Sequence, residues 1–109
     1  MVNAKAARSQ LVGGIIWGIG HALLESDPIE PDGRYAAANM AEYLVPVHAD
    51  IPKIDVHWLD HPDPQLSEFG GRGVGELSTV GAAAAIGNAV FNATGVRVRD
   101  LPITVDKLL

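Results

Sequence analysis

The sequence predicts an α+β fold: two buried glycine- and alanine-rich helices packed on a small mixed sheet, with residues 1–109 forming one segment of a larger domain. Three observations predict it. Two long stretches, Ser9–Leu24 and Leu77–Val96, carry apolar residues on every side and no acidic or basic residue apart from His21. Two shorter stretches, Ile54–Leu59 and Val96–Leu101, alternate in polarity as half-buried strands do. A chain of this length buries only about two-thirds of its unfolded surface, and helices with so little polar face need cover from further polypeptide.

The elements follow in chain order. Ser9 is a candidate cap for a first helix whose apolar positions Leu11, Ile15, Ile19, Ala22 and Leu23 share one face. Gly13, Gly14, Gly18 and Gly20 each cost about 0.8–1 kcal/mol relative to alanine in a helix interior, so close backbone approach by a neighbour must offset them. The helix should end near Glu25–Pro28, because proline disfavours helical backbone in the residue before it. Asp27–Gly33 (DPIEPDG) is turn chemistry. Ala36–Ala41 favours helix and Tyr43–Val47 an extended segment. Ile54, Val56 and Trp58 form one side of a strand. A long loop with Pro62, Pro64 and the run Gly70-Gly71-Arg72-Gly73-Val74-Gly75 leads to a second helix opening at Glu76 and Leu77, which Gly95 stops. A strand to Leu101 and one helical turn over residues 106–109 close the chain.

Composition removes several functions. The net charge of −5 argues against a nucleic-acid or anionic-membrane surface. With no cysteine, this chain holds no disulfide, thiol nucleophile, Cys-ligated zinc or iron–sulfur cluster of its own, which fits a cytoplasmic setting. The N-terminus lacks the apolar core of a signal peptide, although a partner subunit carrying an export signal would take the chain to the periplasm. Neither uncharged stretch reads as a membrane span: one is shorter than the ~20 residues required, and the other is diluted by Ser78, Thr79, Asn88, Asn92 and Thr94.

The chemistry concentrates at Gly70–Glu76, GGRGVGE. Glycines let a ligand touch the main chain, and amides ahead of a helix suit an anion. The dinucleotide-binding fingerprint does not fit, because the nearest strand ends some ten residues earlier. A flexible loop whose Glu76 merely complements the helix dipole is the simpler alternative. Beside a bound cofactor, Glu76 would stand in a poorly solvated site and serve as a general base. Glu25, Glu30, Glu42 and Glu68 sit in polar contexts. Gln10, at the mouth of the first helix, either faces solvent or hydrogen-bonds a polar cofactor edge. His57 and His61 lack ligand spacing, and Asp60, His61 and Asp63 fit a solvated loop better than a metal, so no metal ligand is assigned. His21, Trp17 and Trp58 read as core or interface residues, His48 and Asp50 as a local pair. Asn88 and Asn92 read as polar ties to another segment.

Five blocks together resemble the C-terminal end of the molybdenum-binding subunit of the xanthine dehydrogenase/aldehyde oxidase family. They are Gln10-Leu-Val-Gly-Gly-Ile-Ile-Trp-Gly-Ile-Gly, Glu42-Tyr43, Pro46…Asp50-Ile51-Pro52, Gly73-Val-Gly-Glu76 and Asn92-Ala-Thr-Gly-Val-Arg-Val-Arg-Asp-Leu-Pro. The match spans nearly the whole chain in family order, and its flavour is closest to bacterial aldehyde-oxidising members. The resemblance implies a molybdenum hydroxylase in which molybdopterin, as such or in its cytosine dinucleotide form, carries the metal with hydroxide, oxo and sulfido ligands. A loop glutamate takes the hydroxide proton, the oxygen attacks an aldehyde or heteroaromatic carbon, and hydride passes to the sulfido. Electrons leave through [2Fe-2S] clusters, often to FAD, on other segments or subunits. By this resemblance Glu76 falls on the base, Gly73, Val74 and Gly75 on the loop beside the molybdenum, and Gln10 on a glutamine near the pterin. The chain departs from the family at Trp17, where many members have glutamine, and in lacking the segments that supply most pterin contacts. Met1 falls just inside a family block, as though the chain began mid-domain.

The expected function is therefore a C-terminal fragment or split subunit of a molybdenum-dependent oxidoreductase, inactive alone. Its partners would be the rest of the molybdenum subunit, iron–sulfur and FAD subunits, and a small aldehyde or N-heteroaromatic such as xanthine. The alternatives are a non-catalytic truncated domain that assembles as a homo-oligomer or scaffold and, less favoured, an autonomous anion-binding module.

Overall fold

A computed structural model describes all 109 residues. Two long helices dominate: α1, Ala4–Leu23, and α2, Thr79–Thr94. Short 3-10 turns occupy His48–Asp50 and Val105–Leu108. α1 begins six residues earlier than a cap at Ser9 would place it. Asn3 is the cap, its side-chain oxygen accepting the Ala6 amide at 2.9 Å, and Ala4–Arg8 is rich in good helix formers. α2 opens at Thr79 rather than Glu76, and ends as expected at Gly95, which takes the left-handed conformation with φ 77°.

The mixed sheet is not present. The one pairing is an isolated antiparallel bridge between Ile29 and Tyr35 across the DPIEPDG turn, where Gly33 has φ 84°. The alternation at residues 54–58 survives as burial: Ile54 and Val56 are half-buried, Asp55 and His57 exposed. A strand, however, needs a neighbour to pair its amides and carbonyls, and this chain offers none to either alternating segment. Arg8 alone reaches the first of them, donating from Nη2 to the Ile54 carbonyl at 3.2 Å. Nor does Ala36–Ala41 form a helix. The Asp27 carboxylate accepts the Ala37 amide and the Asn39 side chain accepts the Ala41 amide, so side chains hold the backbone in turns instead.

The helices cross where α1 is bare. A Cβ on Gly14 would run into Ser78 Oγ and the Thr79 amide, and one on Gly18 into the Ala82 side chain. A Cβ on Gly20 would strike Glu25 and Pro46. These three glycines are all buried, and each permits an approach that alanine would block. The C-terminal tail returns to the end of α1, where the Ile103 amide donates to the Ala22 carbonyl at 2.7 Å and both residues are buried.

Only six of 109 residues are buried, and none of them lies in α2. The two helices are thus not buried within this chain. The accessible surface is 8429 Å², against about 5,800 Å² for a compact protein of this mass. The radius of gyration is 17.7 Å, against about 13 Å for a 100-residue domain. Leu77 (67% exposed) and Val80 (84%) stand out from the start of α2. This is the shape of a piece whose core is completed by other polypeptide, as the helices' lack of a polar face predicts. No helix is long and apolar enough to cross a membrane.

Candidate functional site

Two walls meet at the start of the helix pair. One is the first half of α1, from its Asn3 cap to Gln10 and Leu11. The other is the glycine-rich loop before α2. That loop is tied off at its root: Gly70 adopts φ 59°, the Gly71 amide donates to Ser67 Oγ at 3.1 Å, and Arg72 pairs with Asp63. The Ser78 hydroxyl then donates to the Leu11 carbonyl at 2.6 Å, and the Thr79 hydroxyl to the Gly14 carbonyl at 3.2 Å, joining the loop's far end to α1.

Between the walls lies a cleft of about 590 Å³, within the ~300–1,000 Å³ range of small-molecule sites. Gln10, Gly73 and Val74, three of the five residues singled out from the sequence, line it together with His57, Arg72 and Leu77. Gly75 and Glu76 do not line it; Glu76 is exposed two residues before the hydroxyl pair. The Gln10 side chain is exposed at the cleft, offering both donor and acceptor.

Gly73 and Gly75 differ from the glycines of the helix crossing. Neither has a positive φ, and a Cβ on either would meet nothing within 4 Å. Backbone conformation and packing within the chain therefore leave both free to carry a side chain.

Several other residues fall elsewhere than expected. Glu25 is half-buried, not solvated, and accepts the Tyr43 hydroxyl at 2.8 Å. That bond to the Glu25 carboxylate, with smaller effects of burial and of the charges on Glu25 and Asp27, raises the Tyr43 phenol above its usual value near 10. The pair escaped the sequence reading because its members are 18 residues apart with no shared pattern. His21 is exposed, and Trp17 and Trp58 are 50% and 39% exposed, which removes the core reading of all three and leaves the interface one. Asp50 accepts the Val47 amide and does not pair with His48. Asn88 is tied to another segment as expected, accepting from Arg97 Nη1 at 2.8 Å, while Arg97 also lies 3.8 Å over the Phe91 ring. No three His, Asp or Glu side chains gather closely enough to hold a metal ion. His57 and Arg72 were not singled out as site residues, although Arg72, the only charge inside the glycine run, was a signal that could have found it.

Residues 1–52 match the family model described as a molybdopterin cofactor-binding domain, a span that includes Gln10 but not Gly73–Glu76. The aldehyde oxidoreductase molybdenum-binding subunit PaoC of Escherichia coli K12 is 53% identical over 110 residues, covering 100% of this chain and 15% of that protein. A probable xanthine dehydrogenase subunit of Bacillus subtilis is 36% identical, covering 100% of this chain and 14% of its own length. The crystal structure of quinoline 2-oxidoreductase from Pseudomonas putida 86 superposes with a TM-score of 0.87 at 32% identity, over 99% of this chain and 14% of that one. The chain thus spans about one seventh of the relatives it matches, and its open shape is the shape the corresponding segment has inside that much longer chain.

Proposed function

Since the chain belongs to the molybdopterin-binding subunits of the xanthine dehydrogenase/aldehyde oxidase family, we propose that residues 1–109 form the C-terminal segment of such a subunit and supply one wall of its cofactor site and the general base. The observation that carries this reading is Gly73, bare where nothing in the chain requires it and lining a cleft of ligand size together with Gln10. The donor set fits a molybdopterin. It offers a carboxamide that would meet the donor–acceptor edge of a pterin, and backbone amides and Arg72 that would meet an anionic group.

The bound cofactor supplies two-electron redox chemistry, with electrons passing on to [2Fe-2S] and FAD partners. This chain's residues do the rest of the local work. Gln10 orients the cofactor's polar edge, and the Gly73–Gly75 backbone lies close beside it. A carboxylate oxygen of Glu76 accepts the proton of the water-derived nucleophile that attacks the substrate carbon. Glu76 is exposed on this chain, so the poorly solvated setting that suits a base near neutral pH comes from the polypeptide that covers the open face. The substrate is a small aldehyde rather than an N-heteroaromatic, a choice supported by the higher identity to an aldehyde oxidoreductase subunit than to the quinoline enzyme.

In the complete enzyme, Glu76→Gln is expected to lower turnover about 10²–10⁴-fold, the usual contribution of a positioned base, with molybdenum content unchanged. Turnover equal to wild type in that variant overturns the assignment of the base.

A further inference from the structure

Ser78 occupies the cap position of α2 yet caps nothing: its backbone is already helical (φ −74°, ψ −13°) and its side chain accepts no amide. A serine there ordinarily stabilises a helix through such a bond. Here the hydroxyl is turned away from its own helix and donates to the Leu11 carbonyl at 2.6 Å, and its neighbour Thr79 donates to the Gly14 carbonyl at 3.2 Å. Both acceptors are carbonyls inside α1, whose second lone pairs are free to take them. Gly14 is bare where a Cβ would collide with the Ser78 hydroxyl and the Thr79 amide.

The placement of these two bonds matters. Leu11 follows Gln10 directly, and Ser78 lies two residues after Glu76. One hydrogen bond therefore joins the residue after Gln10 to the end of the glycine-rich loop, and the second holds the same two segments together one turn further along α1. No side-chain hydrogen bond involves any residue from Gly73 to Leu77, so the two hydroxyls are the side-chain hydrogen bonds that join the end of this loop to α1.

We propose that Ser78 and Thr79 are positioning residues, their hydroxyls locking the start of α2 onto the Leu11 and Gly14 carbonyls so that the Gly73–Glu76 loop keeps a fixed distance from Gln10. The proposal rests on the reading of Glu76 as the base, but its structural half stands on the two hydrogen bonds alone.

The test compares two double variants in the complete enzyme, with its iron–sulfur and FAD subunits. S78A/T79V removes both hydroxyls with little change of shape, and S78T/T79S retains both donors. Displacement of a catalytic group by an ångström costs up to about a hundredfold, so S78A/T79V is expected to lower kcat about 10–100-fold with KM changed less than about threefold. The amides of residues 73–77 should exchange hydrogen faster at unchanged molybdenum content, and S78T/T79S should return kcat to within about threefold of wild type. If S78A/T79V does not assemble, Ser78→Ala alone carries the same expectations. Unchanged kcat and unchanged exchange with a lowered melting temperature overturn the proposal, leaving a mere helix–helix tie. Equal losses in both double variants also overturn it. Wild-type turnover in Glu76→Gln sinks the reading of the base instead, and faster loop exchange in S78A/T79V distinguishes that failure from failure of the positioning tie.

Discussion

The helix crossing and the segment Ile51–Asp60 are built on opposite terms. At the crossing, Gly14 and Gly18 admit Ser78, Thr79 and Ala82, and two hydroxyls close the contact, all with residues of this chain. Along residues 51–60 the polarity alternates as a strand's would, yet no ladder forms and a single bond from Arg8 reaches the Ile54 carbonyl. Side-chain pattern decides which face a segment buries. Hydrogen bonding decides whether it becomes a strand, and that needs a partner this chain does not contain. The crossing is complete in itself; the alternating segment awaits the rest of the subunit.

The largest effect should come at the crossing. In the complete subunit, Gly18→Ala sets a Cβ against the Ala82 side chain and should cost about 1–3 kcal/mol by overpacking, read as a lower melting temperature. Gly14→Ala should also destabilise, since the Ser78 hydroxyl can swing aside only at the loss of its bond to Leu11 and the Thr79 amide, at 3.1 Å, is backbone that must shift. Gly13→Ala, where a Cβ would meet nothing within 4 Å, should be neutral or slightly stabilising. Equal losses at Gly13 and Gly18 would break the contrast. A smaller effect is expected at Arg8→Met, which removes the one tie to the alternating segment. Hydrogen exchange should quicken at residues 54–58 and stay unchanged in α1 and α2, with stability altered by about 1 kcal/mol or less. Faster exchange throughout the helices would show that the segment supports the crossing after all.

The smallest effect concerns Tyr43, whose phenol is raised above 10 by its bond to the Glu25 carboxylate. A group with a raised folded value contributes stability that is complete below its unfolded value and is lost as the pH climbs through the folded one. Wild-type subunit should therefore lose stability above about pH 10. Tyr43→Phe should remove that alkaline decline while starting from a slightly less stable protein at neutral pH. Parallel stability–pH curves for the two proteins would show that the bond does not persist in solution.

The glycine-rich part of the candidate site was legible as a pattern because its signal is local. Gly73, Gly75 and Glu76 stand within four residues, and the change from glycine-rich loop to uncharged helix marks them. Gln10 was legible only as a residue at the mouth of a helix; that it faces the same cleft as Gly73 and Val74 depends on how the helices cross. Ser78 and Thr79 appeared only as polar residues diluting an apolar run, because a hydroxyl that reaches 65 or more residues back leaves no mark in the local pattern. The sheet failed for the converse reason: alternation is a local signal, and pairing is not.

The sequence by itself determined that two helices form, where Gly95 stops the second, that neither has a polar face to give to water, and that glycines near the first helix must admit a neighbour. Local propensity, capping and composition suffice for these, since each depends on residues within a few turns. Only the tertiary structure decided which glycines meet α2, which face space, and that Gln10 and the glycine-rich loop share one cleft. Those facts depend on contacts between residues some 65 positions apart, whose geometry is set by the approach of two backbones and not by the spacing of side chains along either one.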